Sequence, residues 1–215
     1  MSHHARDERL ALCATFEAVG PDAPTLCEGW RARDLAAHLV LRERRPDALA
    51  GVVLPTLAAR TRRIREEFAS MDWPLLVDLV RGGPPSWMPT AVPRVDEAVN
   101  TVEFYVHHED VLRAGPGWGD DDRREVSAEL QQALWTSLTR VGRRLFRRSP
   151  VGVVVIAEGF GRRALRGPGE HGTVVLRGLP GELLLYAFNR KHVAEVVADG
   201  SPADAEHLAR TRLGI

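Results

Sequence analysis

Apolar residues recur at helical spacing up to Ser149-Pro150 and at strand spacing in several runs beyond it. Leu10, Leu12, Phe16 and Val19 predict a first helix over 5–19, which Gly20-Pro21 ends. A second is expected over 31–45, entered through Thr25-Leu-Cys-Glu28, a match to the capping-box pattern, and stopped by Pro46. A loop over 46–55 then leads to a charge-laced helix over 56–70, with Leu57, Ile64 and Phe68 inward and its arginines on a solvated face. A short helix over 74–81 breaks at Gly82-Gly-Pro-Pro85, and Pro89 and Pro93 bracket an extended entry to a helix over 95–113. The glycine-rich run Gly115–Gly119 ends that helix, and Val126, Leu130, Leu134, Leu138, Val141 and Leu145 predict another long one over 120–148. Past Pro150 the β-branched runs 151–156, 173–176 and 193–198 read as strands, and 182–189 and 203–212 as helices. The expected fold class is α+β, with a helical domain over 1–149 and a small α+β domain over 150–215.

One helix carries polar residues where its apolar face should be. At about 100° per residue, Asp96, Asn100, Glu103, His107 and Asp110 fall in a single narrow stripe. Val95, Val99, Val102 and Val106 flank it on one side and Phe104 and Val111 on the other, so the stripe is expected to face inward. A carboxylate and an imidazole held inside must be paired, hydrogen-bonded or bound to a metal. Glu103 and His107 are one turn apart, the offset that sets two helical ligands on one cation. A third ligand has to come from another element, and His38, between Leu35 and Leu41 on an inward face, is the candidate. The plainer reading of His38 is a core histidine hydrogen-bonded to a neighbour.

Composition narrows the partners. The 215 residues are 44% hydrophobic and 27% charged, enough for a full core. Basic and acidic residues number 29 each, so no net field argues for nucleic acid or an anionic membrane. The paired arginines 143–144 and 147–148 are explained by the macrodipole at a helix C-terminus. Two cysteines, Cys13 and Cys27, are too few for a disulfide scaffold, so reduced thiols and a cytoplasmic setting are expected. Neither cysteine is expected to be a ligand. No apolar run approaches the length that spans a bilayer.

The segments Leu26-Cys-Glu-Gly-Trp-Arg-Ala-Arg-Asp-Leu-Ala-Ala-His-Leu39 and Glu103-Phe-Tyr-Val-His-His-Glu-Asp110 resemble the metal-binding domain of the mycothiol-dependent maleylpyruvate isomerase family. That domain belongs to the DinB/YfiT-like superfamily, and the resemblance implies a DinB-like up-down four-helix bundle. It also implies His38, Glu103 and His107 as ligands of a divalent metal, zinc above others, and Asp110 as the acidic residue that follows the last ligand. The run Val174–Arg190 is similar to the family's small second domain, which implies that Arg190 reaches the site. The family has glycine where this chain has Asn189.

Two histidines and a glutamate leave one position of a tetrahedral zinc open, the layout of a catalytic site. The resemblance then implies a small-molecule substrate, anionic if Arg190 binds it, and a low-molecular-weight thiol such as mycothiol, with isomerase or transferase chemistry on the thiolate. Asp110 would accept a proton or fix His107 through its second N–H. The rival expectations are a non-catalytic metal-dependent small-ligand-binding protein, a metal-free Glu–His hydrogen bond in the bundle, and a surface role for Arg190 at a helix C-terminus.

Overall fold

The computed structural model describes residues 3–48, 58–169 and 171–214; positions 49–55 of the loop expected over 46–55, and Leu57, lie outside them. The chain divides into two compact units, Met1–Arg123 and Arg124–Ile215. This division falls ahead of the long helix expected to close the first domain, whereas the change of periodicity falls after it. Contact and periodicity mark different places because that helix buries its apolar side within the second unit.

The first unit contains α1 (His4–Val19), α2 (Ala32–Arg44), α3 (Ala58–Ala69), α4 (Trp73–Gly82) and α5 (Pro93–Leu112). Leu12 and Phe16 from α1, Leu35 and Leu39 from α2, Leu76 and Val80 from α4, and Phe104 and Val111 from α5 share one core. α2 begins within a residue of expectation, but its cap is a different one. Thr25 does not cap it: its hydroxyl accepts from the Cys27 amide at 3.2 Å and donates to the Trp30 carbonyl at 2.8 Å, forming a local turn. The N-cap is instead Arg31, six residues beyond Thr25, whose amide donates to Asp34 Oδ2 at 3.0 Å. The connecting loop is fastened to α5, with the Leu26 amide donating to the Asp110 carbonyl at 2.9 Å.

A buried ion pair crosses this core. Arg9 on α1 donates from both terminal nitrogens to Glu43 on α2, each at 2.6 Å, and both side chains are nearly inaccessible. The same guanidinium reaches Asp96 at 3.3 Å and the Val80 carbonyl at 3.0 Å, and it lies 4.3 Å from the Phe104 ring centroid. Asn100, fully buried on α5, donates to Asp96 at 2.6 Å and to Glu43 at 3.4 Å and accepts from Arg42. The inward phase of the α5 stripe therefore holds for Asn100 and Asp110, which are both fully buried. Val99, expected as a buried shoulder, is 46% exposed, because the first two turns of α5 are covered mainly on their α1 side.

The second unit contains α6 (Ala128–Leu145), α7 (Pro180–Ala187), α8 (Pro202–Arg210) and a four-stranded sheet of β1 (Gly152–Ala157), β2 (Gly161–Arg166), β3 (Thr173–Arg177) and β4 (Val197–Asp199). Strand order is β2-β1-β3-β4, with β1 parallel to β3 and the outer pairings antiparallel. Ser127 caps α6 by accepting from the Leu130 amide at 3.2 Å, so the helix is shorter than 120–148 and a separate 3₁₀ turn covers 120–122. Its Gly142 lies against β2: a Cβ there would come 2.7 Å from Leu165 Cδ1. Strand β2 is absent from the sequence reading, and β4 covers only the end of the strand expected over 193–198.

Removing one member of the Arg9–Glu43 pair leaves a buried charge without its partner, which costs about 3–5 kcal/mol, whereas replacing both with apolar residues costs far less. Urea unfolding should therefore show Arg9→Met strongly destabilised and Arg9→Met/Glu43→Met much less so than the sum of the single changes. An Arg9→Met variant as stable as the parent would contradict this reading of the core.

Candidate metal centre

Three side chains from two helices converge on the polar stripe. His38 sits near the middle of α2, and Glu103 and His107 are one turn apart on α5. His38 Nε2 and His107 Nε2 each lie 3.4 Å from the same oxygen, Glu103 Oε1. The two imidazoles meet edge to face with centroids 5.5 Å apart, and one donor atom from each of the three residues falls within 4.8 Å of the others. This set can chelate a cation once the two nitrogens give up the hydrogens they direct at Glu103: the three atoms then all carry lone pairs, and they come from elements fixed by the common core. None of the three is fully buried, with side-chain exposures of 21%, 25% and 13% for His38, Glu103 and His107, so a ligand has access.

Asp110 is fully buried one turn beyond His107, and its Oδ2 lies 2.9 Å from His107 Nδ1. A carboxylate only accepts, so Nδ1 carries the hydrogen and Nε2 is the atom left to bind a cation. The same oxygen accepts from the Cys27 thiol at 3.2 Å, and Cys27 Sγ is 3.9 Å from His107 Nδ1. Cys27 is thus beside the stripe, contrary to the expectation from its distance in sequence; the Leu26–Asp110 backbone bond brings it there. Cys27, His107 and Asp110 form a second possible ligand group that shares His107 with the first. Both cysteines are free thiols, and burial pushes that of Cys13 up to about 11.

The stripe also has an arginine that the sequence reading lacks. Arg42, one turn after His38 on α2, places Nε 3.3 Å from Glu103 Oε1 and donates to Asn100. The four-residue spacing of His38 and Arg42 was the available signal. On the other side of His38, the Trp30 ring lies 5.2 Å away and is itself covered by the Arg65 guanidinium at 4.6 Å. His108, the neighbour of the last candidate ligand, points elsewhere: it bonds to Thr15 at 2.9 Å and to Glu8 at 3.4 Å on α1. Arg190 belongs to the second unit, where its guanidinium donates to the Phe188 carbonyl at 2.6 Å. Asn189 takes the left-handed conformation, φ 69°, a backbone shape open to asparagine as it is to glycine.

Charge is distributed unevenly among these groups. Burial alone would raise the Glu103 carboxyl, but hydrogen bonds from His107 and His38 and the Arg42 charge outweigh it and hold it well below the usual carboxylate range. Burial would likewise depress His107, yet bonding to Asp110, Cys27 and Glu103 raises it well above an ordinary histidine. Burial keeps the basicity of His38 down, and among the described residues Glu103 is the one acidic group bonded to it.

The fold these units make has solved counterparts, all at the level of architecture. The structure matches that of a mycothiol-dependent maleylpyruvate isomerase with a TM-score of 0.60 and 14% identity, covering 91% of this chain and 90% of the other. A histidine-to-alanine mutant of the mycothiol-dependent maleylpyruvate isomerase matches with a TM-score of 0.59, the same identity and the same coverage. No family profile and no curated protein matches the sequence.

In the metal-free protein the two imidazoles should titrate on opposite sides of an ordinary histidine, His107 above about 6.5 and His38 below it. The folded state then holds the His107 proton more tightly than the unfolded chain, so that contribution to stability is complete below pH ~6.5 and fades as pH rises through the folded-state value. Histidine NMR titration in chelator, with Asp110→Asn lowering His107, checks the order. His107 titrating below His38 would contradict it.

Proposed function

We propose that the chain binds one divalent cation through His38, Glu103 and His107 and uses it to activate a low-molecular-weight thiol, acting as a thiol-dependent isomerase or transferase. The observation that carries this reading is the convergence of two imidazole nitrogens on one Glu103 oxygen, with all three donor atoms within 4.8 Å of one another. The two-histidine, one-carboxylate set suits zinc and leaves a coordination position for an outside ligand. The architecture shared with a mycothiol-dependent maleylpyruvate isomerase makes mycothiol the first thiol to try. A bound divalent cation would supply Lewis acidity, holding a thiol as its thiolate at neutral pH.

The remaining roles belong to side chains. Asp110 keeps the His107 hydrogen on Nδ1 and fixes the ring plane, with the Cys27 S–H occupying a further lone pair of the same oxygen. Arg42 offsets the negative charge of Glu103 from α2 and adds a cation beside the stripe, to which a substrate carboxylate would be drawn. Trp30 and Arg65 wall the approach to His38.

Metal analysis of the purified protein should give one equivalent of a divalent metal per chain in this site. His107→Ala should lose it, and His108→Gln, which alters only the Glu8 and Thr15 side of α5, should keep it. Equal loss in both variants would overturn the ligand assignment. Cys27→Ser should retain the metal with an affinity lowered by about 10–100-fold at most, the usual effect of a residue that orients a ligand.

A further inference from the structure

The second unit holds a cluster that the proposed activity does not use. His171 directly precedes Gly172 and β3, while Asp204 and His207 lie one turn apart on α8. One donor atom from each falls within 4.8 Å of the others, and the two imidazole rings are 4.6 Å apart, centroid to centroid, at 57°. We propose that His171, Asp204 and His207 form a second divalent-cation site, of the type that takes Zn²⁺, Co²⁺, Ni²⁺ or Cu²⁺.

The carboxylate is set in place before any ion arrives. Asp204 Oδ1 accepts from the Gly172 amide at 3.3 Å and Oδ2 from the Ser201 hydroxyl at 2.7 Å, while Ser201 caps α8 by accepting from the Asp204 amide. A carboxylate has about four lone-pair sites, so these bonds leave capacity for a cation. The backbone at 172 can approach so closely only because it is glycine: a Cβ there would stand 2.5 Å from Asp204 Oδ2. That close approach brings His171 to His207. Both imidazoles are exposed, so neither is spent on the core, and the contact between them is made in solvent where ring stacking contributes little. Bonds of about 2.0–2.2 Å around a tetrahedral ion put donors about 3.3–3.6 Å apart, so the set closes by roughly an ångström through side-chain rotation alone.

The effect of such an ion would be to clip α8 to the sheet. Among the nine residues of α8 only Leu208 is buried, and the helix end is otherwise held by Lys191 Nζ, which donates to the carbonyls of Leu208 at 2.7 Å and Ala209 at 3.0 Å. A cation joining His207 to His171 would fasten the same helix from its first two turns.

Titration of the chelator-stripped full chain with Co²⁺, followed by calorimetry and by the visible absorption of the bound ion, tests this. The parent should bind a second, weaker equivalent that also raises the melting temperature of His107→Ala. His171→Ala/His207→Ala should weaken that equivalent at least tenfold and abolish the melting shift, and His192→Ala, an exposed histidine of the same unit, should leave both unchanged. The first equivalent should disappear in His107→Ala and persist in the His171/His207 variant, so each site is judged separately. A weaker equivalent unchanged in His171→Ala/His207→Ala, or one lost equally in His192→Ala, would overturn the second site.

Discussion

The first unit depends on how a carboxylate at position 103 is kept ionised on a largely buried helix face. Taking a charge out of water is costly, and the cost falls as hydrogen bonds and opposite charges are added. Glu103 has His38, His107 and Arg42 within 3.4 Å, each delivered by a helix whose position the common core sets. Arg42 in turn donates to Asn100, and Asn100 to Glu43 and Asp96, which hold Arg9. The site is thus one end of a continuous polar network through α1, α2 and α5. Such a network is rigid when every member is satisfied, which is what a preformed ligand set requires.

Two carboxylates against His107, Glu103 on Nε2 and the buried Asp110 on Nδ1, account for its hold on a second proton. In the metal-free protein His107 holds its extra proton between Glu103 and Asp110. In the proposed metal complex His107 would have to release that proton, which would couple occupancy to pH through one ring. His38, whose basicity burial lowers, holds one hydrogen rather than two at neutral pH; with that hydrogen on Nε2 toward Glu103, a cation on Nε2 would require its transfer to Nδ1 but no net loss of a proton from the ring. In the proposed site the two rings would therefore differ, His38 changing only its tautomer and His107, oriented by Asp110, losing a proton.

Much of this was legible in the residues. The 3.6-residue period gave the five helices of the first unit to within about two residues at the ends compared, and the stripe on α5 gave Glu103, His107 and Asp110 because polar groups flanked by valine and phenylalanine stand out on a helix. Cys27 was not legible, since its place follows from a backbone hydrogen bond between a loop and Asp110 that no periodicity encodes. Strand β2 was missed for a different reason. Its sequence Gly-Arg-Arg-Ala-Leu-Arg buries only Leu165, being an edge strand paired on one side, so the alternation that marks a strand is reduced to a single residue. The division between units was obscured because α6 has the same helical period as α1–α5 yet packs with the sheet.

Diffraction from crystals of the protein, collected above and below the absorption edge of its bound metal, tests the central claim most directly. The account predicts an anomalous peak about 2.0–2.2 Å from Nε2 of both His38 and His107 and within bonding reach of the Glu103 carboxylate. A peak between Cys27, His107 Nδ1 and Asp110 instead, or none on this face of α5 in metal-replete crystals, would contradict it.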